Sequence, residues 1–179
     1  MSTSIALLRG INVGGHNKVA MSDLRDLCAD LGFAHVKSLL QSGNLIFEGD
    51  QQGGAELESF LEKETAKRLG LSAGYIIRSA NEWRRIIARN PFPAHAQEDR
   101  SHLVVVFLKS VPSARSVEDL RAAIKGPEIL HSDKKNIYIV YPAGIGRSKL
   151  TGTLIEAKLG VAGTARNWNT ILKLAELCP

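Results

Sequence analysis

Leu7-Leu8-Arg9-Gly10-Ile11-Asn12-Val13-Gly14-Gly15-His16-Asn17-Lys18 decides how the chain is read, because an apolar run beginning at Ile5 stops here and gives way to a glycine-rich, basic loop. Residues 5–9 are short, apolar and end at glycine, the pattern of a buried strand. Glycines at 10, 14 and 15 let the backbone take positive φ and let a partner approach the main chain, which a residue with a Cβ permits less cheaply. Successive free N–H groups in such a turn make a concavity for an anion, and Arg9, His16 and Lys18 bring positive charge beside it. A tight structural turn accounts for the same glycines, and the spacing matches neither G-x-G-x-x-G nor G-x-x-x-x-G-K-[ST]. The loop suggests an anion-accepting surface and names no reaction.

Outward from this loop, Ser22 is placed to cap a helix carrying Leu24, Leu27, Cys28 and Leu31 on one face, with Gly32 as its left-handed stop. Residues 36–40 and 45–47 flank Gln41-Ser42-Gly43-Asn44, a hairpin signal. A polar loop, Asp50-Gln51-Gln52-Gly53-Gly54, leads to a second helix marked by Leu57, Phe60, Leu61 and Leu69 and closed by Gly70, then to a strand at 75–78. The first half reads β-α-β-β-α-β. Ser79-Ala80-Asn81-Glu82 has the form of a capping box before a helix with Trp83, Ile86 and Ile87 on one face. Asn90-Pro91-Phe92-Pro93 ends that helix, and residues 94–101 read as a polar linker.

The second half repeats the order. Residues 102–108 are the most continuous apolar run, as expected of a central strand. Ser116 is read as the cap of a helix with Val117, Leu120 and Ile124, and residues 128–131 and 137–141 bracket a turn containing Asp133, Lys134 and Lys135. After Pro142-Ala143-Gly144-Ile145-Gly146-Arg147-Ser148 a helix is predicted to run to about Leu159, starting with Ser148 and Lys149. A short strand at 164–166 and a terminal helix capped by Asn167, with Trp168, Ile171, Leu172 and Ala175 on its face, complete the chain. The expected architecture is α+β: two consecutive ferredoxin-like subdomains with antiparallel sheets, residues 1–79 and 102–179, joined by a linking helix and loop at 80–101 and ending in a C-terminal helix. The first and third strands of each half are read as parallel neighbours, which would open the loops leaving them at one edge of the sheet.

Leu7-Leu8-Arg9-Gly10-Ile11-Asn12-Val13-Gly14-Gly15, Gln41-Ser42-Gly43-Asn44, Asn90-Pro91-Phe92, Tyr141-Pro142 with Gly144 and Gly146, and Arg166-Asn167-Trp168-Asn169-Thr170 together resemble the bacterial domain-of-unknown-function family 1697. The resemblance spans nearly the whole chain and implies the same pair of ferredoxin-like subdomains. It carries over no catalytic residue. His16 stands where the family pattern leads one to expect lysine, and Ala20 where it leads one to expect proline.

The candidate ligand-binding residues are Arg9, Gly10, Asn12, Gly14, Gly15 and Lys18 in the first loop, and Gly144, Gly146, Arg147, Ser148 and Lys149 in the second, where free N–H groups and a helix start would again favour an anion. Arg166 is a further candidate, whereas Trp168 belongs to an apolar stripe and reads as core. His16, Asp23 and Glu156 are the only general acids or bases the loops propose. The five histidines and the two cysteines, Cys28 and Cys178, show no metal-ligand spacing and no disulfide framework, and no cofactor is implied. A net charge of +5 with 44% apolar residues describes a globular chain with some preference for acidic partners. No apolar run spans a bilayer and Met1-Ser2-Thr3-Ser4 leads straight into a strand, so a cytoplasmic protein with no membrane partner is expected. The leading expectation is a binding protein for a phosphate-bearing or anionic small molecule. Nucleic-acid binding, an enzyme on a phosphorylated small molecule, and a partner-binding module whose uncovered sheet faces meet another chain are the alternatives.

Overall fold

In a computed structural model, residues 1–50 and 53–179 are described, and they form two four-stranded antiparallel sheets with interleaved helices. Gln51 and Gln52 of the expected polar loop lie outside the described residues. The chain divides into two compact units, Met1–Arg85 with Leu174–Pro179 and Ile86–Lys173.

In the first unit, strand β1 (Ser2–Arg9), helix α1 (Met21–Asp30), strands β2 (Ala34–Leu39) and β3 (Asn44–Gly49), helix α2 (Ala55–Leu69) and strand β4 (Gly74–Ser79) follow one another, with sheet order β2-β3-β1-β4. Burial explains the central place of β1: Ile5, Ala6, Leu7 and Leu8 are at most 1% exposed, as a strand with both neighbours present requires. Ala6 and Leu8 pack in one cluster with Leu24 and Cys28 of α1, Leu57 and Leu61 of α2, and Leu45 and Phe47 of β3. β1 pairs antiparallel with β3, with Ile5 opposite Ile46, and antiparallel with β4, with Ile5 opposite Arg78. The expectation of parallel first and third strands is corrected here, since each helical crossover returns the chain to a strand one position removed and β3 fills the gap from the opposite direction.

α1 begins at Met21 with Ala20 as an extended cap that offers no side-chain bond, not at the expected Ser22, because Met21 is already buried and anchors the first turn. β4 lies at the sheet edge, where outward N–H groups lack strand partners. Carboxylates take them: Glu58 Oε1 accepts from Ile77 N and Glu62 Oε1 from Tyr75 N, each at 2.9 Å. Burial lowers the pKa of Arg78 from the ordinary guanidinium value, and the charges of Glu82 and Glu58 oppose that shift. Helix α3 (Ala80–Ala88) starts in the expected capping box, with Ser79 N donating to Glu82 Oε2 at 2.8 Å and Glu82 N to Ser79 Oγ at 3.1 Å.

Residues 94–101, read as a linker, are partly helical: α4 (Pro93–Glu98) forms because Pro93 presets φ at its first turn. The second unit then runs through β5 (Leu103–Leu108), α5 (Ala114–Ala123), β6 (Ile129–Asp133), β7 (Asn136–Val140), α6 (Gly152–Leu159), β8 (Gly163–Asn167) and α7 (Trp168–Leu177), with sheet order β6-β7-β5-β8. The cap of α5 is Ser113 and not Ser116; Ser113 Oγ accepts from Ser116 N at 3.1 Å, so Ser116 serves as the donor in the cap. Asn167 caps α7 as expected, accepting from Thr170 N at 3.0 Å, and Trp168 is 3% exposed. Among the described residues no helix is long and apolar enough to cross a membrane.

Replacing Glu58 by Ala strands the Ile77 N–H and removes a counter-charge from Arg78, so urea unfolding should show a loss of about 2 kcal/mol. Glu64→Ala, which breaks only the Arg68–Glu64 pair on the surface of α2, should cost about 0.5 kcal/mol or less. Burial also pushes the Cys28 thiol up to about 12. Above the ordinary thiol value the unfolded chain releases this proton while the folded chain keeps it, so stability falls as pH rises, by up to about 1.4 kcal/mol per pH unit. Urea titrations between pH 8 and pH 11 should therefore show the stability gap between wild type and Cys28→Ala narrowing with pH.

Candidate functional site

The stretch after β1 is a small hairpin rather than an open loop. Asn12 N donates to Asn17 O at 3.1 Å and His16 N to Val13 O at 2.9 Å, which brings Val13 and His16 into a bridge. Gly14 at φ 56° and Gly15 at φ 79° are the two positive-φ residues that a tight turn of the I′ type needs. Asn12 and Asn17 also adopt positive φ, at 52° and 49°, which asparagine tolerates better than other residues with a Cβ. Their amides tie the hairpin to its surroundings. Asn12 Nδ2 donates to Val19 O at 3.1 Å and to Gln41 O at 2.8 Å, while Asn12 Oδ1 accepts from Val19 N at 2.9 Å. Asn17 Nδ2 donates to Gly10 O at 2.8 Å and Ser72 O at 3.2 Å. Gly43 meets the base of the hairpin so closely that a Cβ there would lie 2.6 Å from Ile11 Cδ1.

Because β1 is antiparallel to both neighbours, its C-terminal end, the β2–β3 turn and the approach to β4 come to one end of the sheet. A cleft of about 520 Å³ opens there. Asn12, Gly15 and Lys18 of the hairpin line it, with Val19, Ala20 and Asp23 at the start of α1, Gln41 of the β2–β3 turn, and Leu69 and Leu71 after α2. Ala20 gives α1 no side-chain cap, so the positive end of the helix dipole meets the cleft without one, while the Asp23 N–H is taken by Ala20 O at 3.1 Å. No described residue forms an ion pair or side-chain hydrogen bond with Lys18 Nζ, the Asp23 carboxylate or the Gln41 amide.

Of the first-loop candidates, Asn12, Gly15 and Lys18 thus reach one cleft. Arg9 does not line it; its stem lies against Gly74, where a Cβ would come within 2.7 Å of Arg9 Cγ. Gly10 and Gly14 shape the hairpin instead. The hairpin bonds use the Asn12 and His16 N–H groups, and Asn12, Gly15 and Lys18 are what the loop brings to the cleft. His16 is exposed on the hairpin, and of the acid–base candidates Asp23 is the one that lines the cleft.

The second loop differs from its expectation. α6 starts at Gly152, where Thr151 Oγ1 accepts from Leu154 N at 3.2 Å, so Ser148 and Lys149 lie outside the helix they were expected to open. The buried Leu150 intervenes and holds the start back. Gly144, at φ 84°, leads into a single 3-10 turn, Ile145–Arg147, and Ser148 Oγ bonds to the Glu128 carboxylate while accepting from Leu150 N at 3.0 Å. An acidic side chain is therefore built into the loop that carries Gly146, Arg147 and Lys149. Arg166 is 8% exposed in β8, donates to Thr164 Oγ1 at 2.7 Å and Ala165 O at 2.8 Å, and burial lowers its pKa to about 10. Glu156 Oε1 accepts from Gly163 N at 3.1 Å, a structural bond between α6 and β8. Among the described residues no group of three or more His, Cys, Asp or Glu side chains is placed to hold a metal ion.

Gln41, Leu69 and Leu71 were legible only as turn and core residues. Asparagines flanking glycines signal positive φ, but nothing local points to the distant carbonyls of Gln41 and Ser72.

A solved structure of a conserved bacterial protein from Streptococcus pneumoniae matches over 98% of this chain and 98% of its own, at 24% sequence identity and a TM-score of 0.77, a likeness of fold. Comparison with curated proteins gives no match. The family model described as protein of unknown function (DUF1697) matches residues 1–138, which covers both the hairpin and the cleft, and the chain belongs to that family.

Proposed function

We propose that the protein is a cytoplasmic binding protein for a small phosphate-bearing or otherwise anionic molecule, held in the cleft between the hairpin and the start of α1. The observation that carries this is the meeting of the Lys18 ammonium with the uncapped start of α1 on one cleft of small-molecule size. Asn12 and Asn17 hold the hairpin in place before any ligand arrives, which lowers the ordering cost of binding. Two free cysteines suit a reducing compartment. The net charge of +5 leaves nucleic acid as a second reading, yet Phe107 and Tyr138, the aromatics on the central strands of the second sheet, are fully buried and Tyr138 OH donates to Ile86 O at 2.7 Å. They offer no stacking platform for a base.

Thermal unfolding against inorganic phosphate, sugar phosphates and nucleoside monophosphates at matched ionic strength tests the proposal. A binder at about 100 times its dissociation constant adds roughly 2.7 kcal/mol, or about 5–11 °C. The shift should vanish in Lys18→Gln and persist in Arg147→Gln; a flat response of the wild type to every anion sinks the proposal. Asn12→Ala should lower the melting temperature by about 2–4 °C for each kcal/mol of lost bracing and weaken the same ligand about tenfold.

A further inference from the structure

We propose that the ligand of this cleft carries a pair of neighbouring hydroxyl groups as well as its phosphate, in the manner of a nucleoside 5′-monophosphate, and that Asp23 grips the diol. The inference rests on the anion-binding proposal above and adds the ligand's second half. Asp23 lines the same cleft as Lys18, yet no ion pair joins the two, and no described residue donates to its side chain. An ionised carboxylate only accepts hydrogen bonds, with two oxygens that suit two adjacent O–H donors. Asp23 stands in the first turn of α1, on the cleft that Lys18 also lines.

A bare anion is a poor occupant on these grounds. It would gain from Lys18 and lose to Asp23, and it would leave most of a cleft of about 520 Å³ unused. A ligand with its phosphate at Lys18 and hydroxyls at Asp23 satisfies both charges. Leu69 and Leu71 then offer an apolar wall for a flat ring, and the Gln41 amide, with donor and acceptor, offers contacts to a base edge.

Calorimetry with adenosine 5′-monophosphate, its 2′,3′-dideoxy analogue, inorganic phosphate and L-leucine, on wild type, Asp23→Asn and Asp26→Asn, decides it. Both aspartates are exposed on α1 and only Asp23 lines the cleft, so Asp26→Asn controls for net charge alone. Wild type and Asp26→Asn should bind the diol compound at least about tenfold tighter than the dideoxy analogue, as charge-assisted hydrogen bonds predict. Asp23→Asn should abolish that preference and at the same time bind inorganic phosphate more tightly, since a repelling charge is gone. Equal binding of the two nucleotides by wild type, or a preference that survives Asp23→Asn, overturns the diol grip while leaving anion binding intact. Failure of every phosphate compound removes the anion site itself. Binding of L-leucine in place of the nucleotides overturns both, with a zwitterion spanning Lys18 and Asp23.

Discussion

β1 runs antiparallel to both of its neighbours, and the place of every loop in the first unit follows from that. Leu7 stands opposite Asn44 at the start of β3, and Arg9 opposite Gly74 at the start of β4. Three chain segments therefore converge where β1 ends, and the polypeptide there must satisfy backbone groups that no strand can pair. The asparagine amides do this. Asn12 takes carbonyls from Val19 and Gln41, and Asn17 takes carbonyls from Gly10 and Ser72. One hairpin thus braces three segments, and the cleft is the space left beside it.

The second unit shows what the same sheet end looks like without this device. β5 ends at Leu108 and α5 begins at Ala114, so residues 109–113 stand where the first unit carries residues 10–20. The hairpin between β6 and β7 turns through Lys134 and Lys135, with Asp133 opposite Asn136, where the first unit has the longer turn that Asn12 reaches. Asn136 occupies the place of Asn44 at the start of the third strand; its Nδ2 donates to Asp133 O at 3.4 Å and its buried Oδ1 has no hydrogen-bond partner among the described residues, whereas Asn44 Nδ2 donates to both Leu39 O at 2.7 Å and Ser42 Oγ at 3.1 Å. The repeat preserves the sheet and varies the loops, as expected where a scaffold positions one site. The glycine-rich loop at 142–148 leaves β7, not β5, and so belongs to the opposite end of its own sheet.

Periodicity carried most of the fold. Alternating and continuous apolar runs located the strands, because a core demands period 2 on a sheet and about 3.6 on a helix. Where a single polar residue had to be chosen as a cap, local sequence was ambiguous: Ser22, Ser116 and Ser148 are all sound cap residues, and Ala20, Ser113 and Thr151 hold those positions. The choice was made by burial of Met21 and Leu150 and by the length of chain that each loop must span. At the site, glycines and charges at 10–18 were visible, but their meaning was not. Gly14 and Gly15 serve a turn, and the residues completing the cleft, Gln41, Leu69 and Leu71, arrive from distant parts of the sequence through strand pairing.

Charge balance at the cleft argues against reading the net charge of +5 as the basis of recognition. Screening in physiological salt limits a diffuse surface surplus to about 8 Å, so it biases encounter without choosing a ligand. Lys18 and Asp23 act differently, as opposite charges on one cleft with no ion pair between them. A partner that supplies only one sign meets attraction and repulsion together, and the difference between them is small. Under the proposal, a ligand that places an acceptor-rich group at Lys18 and a donor-rich group at Asp23 gains from both, and simple anions and simple cations gain less. If the proposal holds, selectivity comes from the separate placing of two opposite charges by the hairpin and α1, and the rigidity given by Asn12 and Asn17 then serves recognition as well as folding.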